Sequence, residues 1–159
     1  MYTIISGTNR PGSNTLKVAK EYQRFLLQKG IEAQLVSLEK LDLLSRTEAF
    51  KQLEEDIIKP STHFIFIAPE YNGSFPGVLK LLFDNSGNHT MWWHKKALLA
   101  GVSTGRAGNV RGMEHLAGVL HYLKVTVYPY LLPISAVDKL INSDGTFTDA
   151  LTIEVINKQ

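Results

Sequence analysis

Two apolar runs without a polar interruption, Phe64-Ile65-Phe66-Ile67-Ala68 and Ala97 to Val102, constrain the fold of this chain more than any other feature. A strand with one wet face alternates apolar and polar residues. An unbroken run instead belongs to a strand covered on both faces, as in a parallel sheet flanked by helices. Three more β-type runs accompany them: Tyr2 to Ile5, Ile31 to Leu38, and Val125-Thr126-Val127-Tyr128. Helical spacing fills the intervals. Leu16, Ala19, Tyr22 and Leu26 form a stripe closed by Gly30, while Phe50, Leu53, Ile57 and Ile58 form a second that ends near Pro60. Val78, Leu81 and Leu82 mark a third, and Met113, Leu116, Ala117 and Leu120 a fourth at i, i+3, i+4 and i+7. A weak final helix is read over Thr148 to Asn157. The alternation predicts an α/β, three-layer doubly wound fold around a five-stranded parallel sheet of order 2-1-3-4-5.

With 159 residues, 44% of them hydrophobic, the chain suits one compact domain spanning residues 1–159. A formal charge of +2 with no Lys/Arg run argues against nucleic acid and fits an anionic small ligand. The absence of cysteine excludes disulfides, thiolate metal sites and a cysteine nucleophile. The start, Met-Tyr-Thr-Ile-Ile-Ser-Gly, reads as a first strand rather than an export signal, and no segment has the ~18 apolar residues of a membrane helix. A cytoplasmic protein with no membrane or nucleic-acid partner is therefore expected.

The residues with chemistry to offer collect in the loops after the first, third and fourth strands. These are Ser6 to Thr15, Pro69 to Gly77, and Ser103 to Asn109. In an open parallel sheet all three lie at the carboxyl edge, where ligands bind at the point of strand-order reversal. The first loop sets hydroxyls, an amide, Arg10 and two glycines before a helix, a cradle for phosphate, although Ser13 or Asn14 also suits a plain helix cap. Gly7 to Gly12 has P-loop spacing, but Ser13 stands where that motif requires Lys, and G-x-G-x-x-G is absent. A monophosphate therefore fits better than a triphosphate or a dinucleotide. In the second loop Tyr71 can lie against a planar ring, between prolines that limit movement.

Three further patterns are weighed and set lower. Gly101-Val102-Ser103-Thr104-Gly105 matches the nucleophile elbow of a serine hydrolase, but no histidine follows Asp138, Asp144 or Asp149 to complete the order. His89 and His94, like His115 and His121, lack the i, i+4 spacing of a helical metal pair, so no metal site is expected. Met91-Trp92-Trp93 reads either as packing or as an aromatic surface for a second copy.

At Pro69-Glu70-Tyr71-Asn72-Gly73-Ser74, followed by Pro76-Gly77, Leu79-Lys80 and Asp84, the sequence resembles the NADPH-dependent FMN reductase family. That family includes quinone, azo-dye and chromate reductases. Gly7 to Asn14 is similar to its phosphate loop, and the likeness runs from Tyr2 to about Pro129. The resemblance implies a flavodoxin-like fold and a flavoprotein oxidoreductase. It implies that Thr8, Arg10, Ser13, Asn14 and Thr15 hold the FMN phosphate. Pro69, Glu70, Tyr71, Asn72 and Gly73 would run along the isoalloxazine, with Ser103, Thr104 and Gly105 near its other edge. NADPH or NADH would pass hydride to flavin N5, and electrons would go on to a quinone, azo compound, metal oxyanion or free flavin. No catalytic acid or base is assigned, Glu70 included. A homodimer or homotetramer is expected. A flavodoxin-like FMN carrier that does not oxidise NAD(P)H, and a cofactor-free binding module, remain as alternatives. The chain departs from the family at Asn85, where Trp is frequent, and in a third loop with fewer glycines that holds Arg106 and Asn109.

Overall fold

The computed structural model describes residues 1–159. Its central sheet runs β2 (Ala33–Ser37), β1 (Tyr2–Ser6), β3 (His63–Pro69), β4 (Lys96–Val102) and β5 (Thr126–Val127), all parallel. This is the doubly wound, flavodoxin-like order 2-1-3-4-5, whose switch point lies between β1 and β3. Side chains of β3 divide as the unbroken apolar run requires. Phe64, Phe66 and Ala68 enter one core, and Ile65 and Ile67 the other. Five helices cover the two faces: α1 (Asn14–Gln28), α2 (Glu48–Leu53), α3 (Gly77–Asp84), α4 (Val110–Tyr122) and α5 (Ala150–Lys158). None is long and apolar enough to cross a membrane.

Local chemistry sets the ends of these elements. The Ser13 hydroxyl accepts the Leu16 N–H at 3.1 Å and starts α1. Gly30, at φ +75°, ends it in a Schellman arrangement, with Ile31 N–H on Leu26 O and Gly30 N–H on Leu27 O. Helix α2 continues as one π turn, Glu54–Ile58, before Pro60. There the buried Glu54 carboxylate takes Arg46 at 2.5 Å and the Gly87 N–H at 2.8 Å, which ties three separate segments together.

Two expectations need correction. The fifth strand, expected as Val125 to Tyr128, is shorter, Thr126–Val127, and the sheet carries an additional sixth strand, β6 (Leu132–Ile134), which also pairs with β4. Between them lies Pro129, which has no N–H to give the ladder. The aromatic surface fails at Trp92, whose ring is fully buried. It lies 5.2 Å from Phe64 and 5.0 Å from Phe83, and its indole N–H donates to Ser86 Oγ at 3.1 Å. A 3-10 turn over His89–Trp92 directs that ring inward.

Lys95 is buried without a carboxylate partner. Its ammonium donates to the carbonyls of Ile58, Lys59 and Ser61, capping the end of the π turn. Burial lowers its pKa to about 8. Between about 8 and the unfolded value near ~10.4, the unfolded chain keeps a proton that the folded chain releases, so folding stability rises with pH there. Urea unfolding of wild type and Lys95→Met across this window should show the difference moving in favour of wild type as pH rises. A difference independent of pH would contradict the assignment.

Candidate functional site

The β1–β3 ladder extends one residue past β1, where the Gly7 N–H donates to Ile67 O at 2.8 Å. A Cβ at Gly7 would stand 2.9 Å from Leu79 Cδ2 and 3.1 Å from Ile67 O, tighter than ordinary contact, so glycine suits the close approach. The chain then turns through Gly12, at φ +62°, into α1. Asn14 and Thr15 open the helix, and their backbone N–H groups have no intrahelical acceptor. A phosphate at this end would meet free donors and the positive end of the helix dipole.

The second loop is a tight hairpin. Tyr71 and Ser74 exchange both backbone hydrogen bonds, at 2.8 and 3.1 Å, around Asn72 at φ +50° and Gly73 at φ +76°. Two consecutive positive φ values define a type I′ turn, for which Asn-Gly is the preferred pair. The Tyr71 phenol lies 2.6 Å from Thr8 Oγ1, and the Arg10 guanidinium sits 4.2 Å over the Tyr71 ring. The third loop is braced by Ser103, whose Oγ donates to Gly105 O and accepts the Gly108 N–H, both at 2.9 Å. Those backbone partners occupy the hydroxyl that a hydrolase would use. His115 bonds instead to Ser74 Oγ, with Nδ1 at 2.9 Å.

These loops enclose one cleft of about 580 Å³ at the carboxyl edge of the sheet. Of the expected site residues, Arg10, Ser13, Asn14, Thr15, the whole of 69–73 and all of 103–105 line it. Thr8 does not; it is 1% exposed and lies behind Tyr71. Arg106, a departure from the family in the third loop, lies on the cleft wall. Arg111 was not anticipated, and its guanidinium packs against Gly73. A more apolar hollow of about 430 Å³ opens at the opposite edge, between α1 and α5. It holds none of the three loops, and its one buried phenol, Tyr22, is bonded to the Gln159 side chain at 2.8 Å.

The arginines divide by role. Arg24 forks onto Glu21 at 2.7 and 2.9 Å and holds that carboxyl below the usual range, and Arg46 pairs with Glu54. Arg10, Arg106 and Arg111 enter none of the molecule's ion pairs. All three stand at or beside the cleft. An unpaired guanidinium is suited to a bidentate phosphate contact.

Asn109 is the residue that sequence reasoning missed. Fully buried and left-handed at φ +61°, it donates its side-chain amide to Ala68 O at 2.9 Å and Pro69 O at 3.0 Å. It thereby fastens the start of α4 to the end of β3, between the second and third loops. Its place in a polar loop signalled only Asn's tolerance of positive φ. Asn109→Asp keeps the shape but removes both donors. It should destabilise the fold by about 2 kcal/mol or more at pH 7. The penalty should shrink toward pH 5, because an acid facing carbonyls has a raised folded pKa and regains stability when protonated. Denaturant midpoints at the two pH values check this.

The cleft fits a flavin mononucleotide. Free amides stand at the start of α1, Arg10 stacks on the fixed Tyr71 ring beside the second-loop backbone, and the volume is typical of a cofactor site. Comparison with known proteins agrees. An NAD(P)H-dependent FMN reductase of Pseudomonas aeruginosa is 29% identical over 98% of this chain and 88% of its own length. A 2-hydroxy-1,4-benzoquinone reductase of a Burkholderia species is 34% identical over 50% of this chain; the match spans 43% of that relative, less than half its length. Among solved structures, FerB of Paracoccus denitrificans, a flavoenzyme NAD(P)H:acceptor oxidoreductase, superposes with a TM-score of 0.81. At 22% identity over 99% of this chain and 91% of FerB, it supports the fold. The family model for NADPH-dependent FMN reductase matches residues 2–137, and the chain belongs to that family.

Proposed function

We propose that this chain, acting as one domain over residues 1–159, uses FMN in the carboxyl-edge cleft to oxidise NADPH and reduce a small electron acceptor, with a quinone as the favoured class. The observation that carries the reading is the convergence of two unpaired arginines, Arg10 and Arg106, the open start of α1 and the Tyr71 hairpin on one cleft, with unpaired Arg111 beside Gly73. Membership of the family supplies FMN and NAD(P)H. The partial match to a benzoquinone reductase supports the acceptor class.

In this reading Arg10, Ser13, Asn14 and Thr15 bind the phosphate, and residues 69–73 and 103–105 border the ring from either side. When bound, FMN supplies the redox chemistry: acceptance of hydride at N5 and delivery of electrons to a second substrate. The protein's own work is positional. The I′ turn fixes where Tyr71 stands, Asn109 fixes the second loop against the third, and Ser103 keeps the third from collapsing into the cleft. Glu70 has its backbone N–H on Val102 O, and no proton transfer is assigned to its carboxylate.

A cytoplasmic homodimer or homotetramer completes the proposal. Support for association comes from the groove between α3 and α4, lined by Phe83, Val119 and Leu123 beside Tyr122, which is 84% exposed.

Anaerobic mixing of the FMN-loaded protein with NADPH should bleach the flavin absorbance, and a benzoquinone should then restore it. A flavin that stays yellow would reassign the chain to an electron carrier. Arg106→Ala should raise the KM for NADPH roughly tenfold while leaving that for NADH nearly unchanged, the loss expected of one charge-assisted contact to the 2′-phosphate. An unchanged NADPH-to-NADH ratio would remove Arg106 from that role.

A further inference from the structure

We infer that Thr8 is a positioning residue which couples the first loop to the second through Tyr71, and that it does not touch the phosphate. The inference rests on the reading that a flavin occupies this cleft. Thr8 is 1% exposed and absent from the cleft wall. Its single hydroxyl is already committed on both sides. It accepts the Arg10 backbone N–H at 3.3 Å and shares a 2.6 Å hydrogen bond with the Tyr71 phenol. A threonine hydroxyl has one proton and two lone pairs. The Arg10 contact takes one lone pair, and the Tyr71 bond takes the proton or the other lone pair.

One buried oxygen thus joins the backbone of the phosphate loop to the tip of the ring-side tyrosine. Tyr71 is held at both ends, by the hairpin at its backbone and by Thr8 at its hydroxyl. The ring so fixed is the surface over which Arg10 stacks, at 4.2 Å. Loss of the Thr8 hydroxyl would free the phenol, and with it both the flat wall beside the ring and the support under the arginine. A phosphate ligand and a positioning residue therefore differ in which flavin they affect. Removing the first would spare riboflavin, which has no phosphate. Removing the second would not.

The test is titration of apoprotein with FMN and with riboflavin, read by flavin fluorescence, for wild type, Thr8→Val, Thr8→Ser, Tyr71→Phe and the Thr8→Val/Tyr71→Phe pair. Thr8→Val should weaken both flavins, riboflavin roughly threefold to tenfold for one neutral hydrogen bond and FMN by at least as much. Thr8→Ser should restore both affinities, Tyr71→Phe should reproduce the loss, and the double variant should lose no more than either single one. A loss confined to FMN, or losses that add, would overturn the inference. If Thr8→Val does not fold, Tyr71→Phe decides alone, and unchanged riboflavin affinity in that variant is the overturning result. Wild type that binds neither flavin would instead remove the reading on which the inference rests.

Discussion

The cleft depends on one backbone hydrogen bond, from Gly7 N–H to Ile67 O, which carries the β1–β3 ladder beyond the end of β1. Five residue pairs, Tyr2 with His63 through Ser6 with Ile67, hold the two strands in parallel register up to that point. Because consecutive elements leave the switch point toward opposite faces of the sheet, the loops after β1 and β3 part and leave a crevice. A side chain at position 7 would press on Leu79 and on the Ile67 carbonyl that accepts this bond. The geometry of the site is thus set in the sheet, and the loops elaborate it.

Much of this was legible from residues alone. The unbroken runs at Phe64–Ala68 and Ala97–Val102 announced strands buried on two faces, and the core is divided across them as expected. Gly30 closed α1 where the pattern stopped, and the three polar loops converged because parallel topology places them on one edge. What sequence hid was set by partners distant in the chain. Packing and an aromatic surface stayed open for Trp92 because nothing local reveals that Phe64 and Phe83 receive it. Asn109 looked like an ordinary loop residue because its acceptors, Ala68 and Pro69, lie 41 and 40 residues away. The shorter β5 and the additional β6 were overlooked although Pro129 stood in view, since a short edge piece has too few residues to show a period.

Charge placement ties the fold to the activity of the family. The two arginines with structural work have carboxylates, and the three near the cleft have none. A protein that leaves guanidinium groups unpaired around a concave site keeps a local positive potential there. An FMN reductase needs such a potential for two phosphate-bearing molecules, its cofactor and its nicotinamide substrate. The near-neutral net charge of +2 shows that this potential is a matter of placement rather than of total charge.

The most direct test of the account is where FMN binds. Backbone amide NMR spectra of the apoprotein, recorded as FMN is added, should shift at Asn14 and Thr15, across 70–73 and across 103–105, with the hollow between α1 and α5 undisturbed. Saturating shifts centred instead on Phe25, Leu26 and Ile156, or no saturable shift at all, would contradict it.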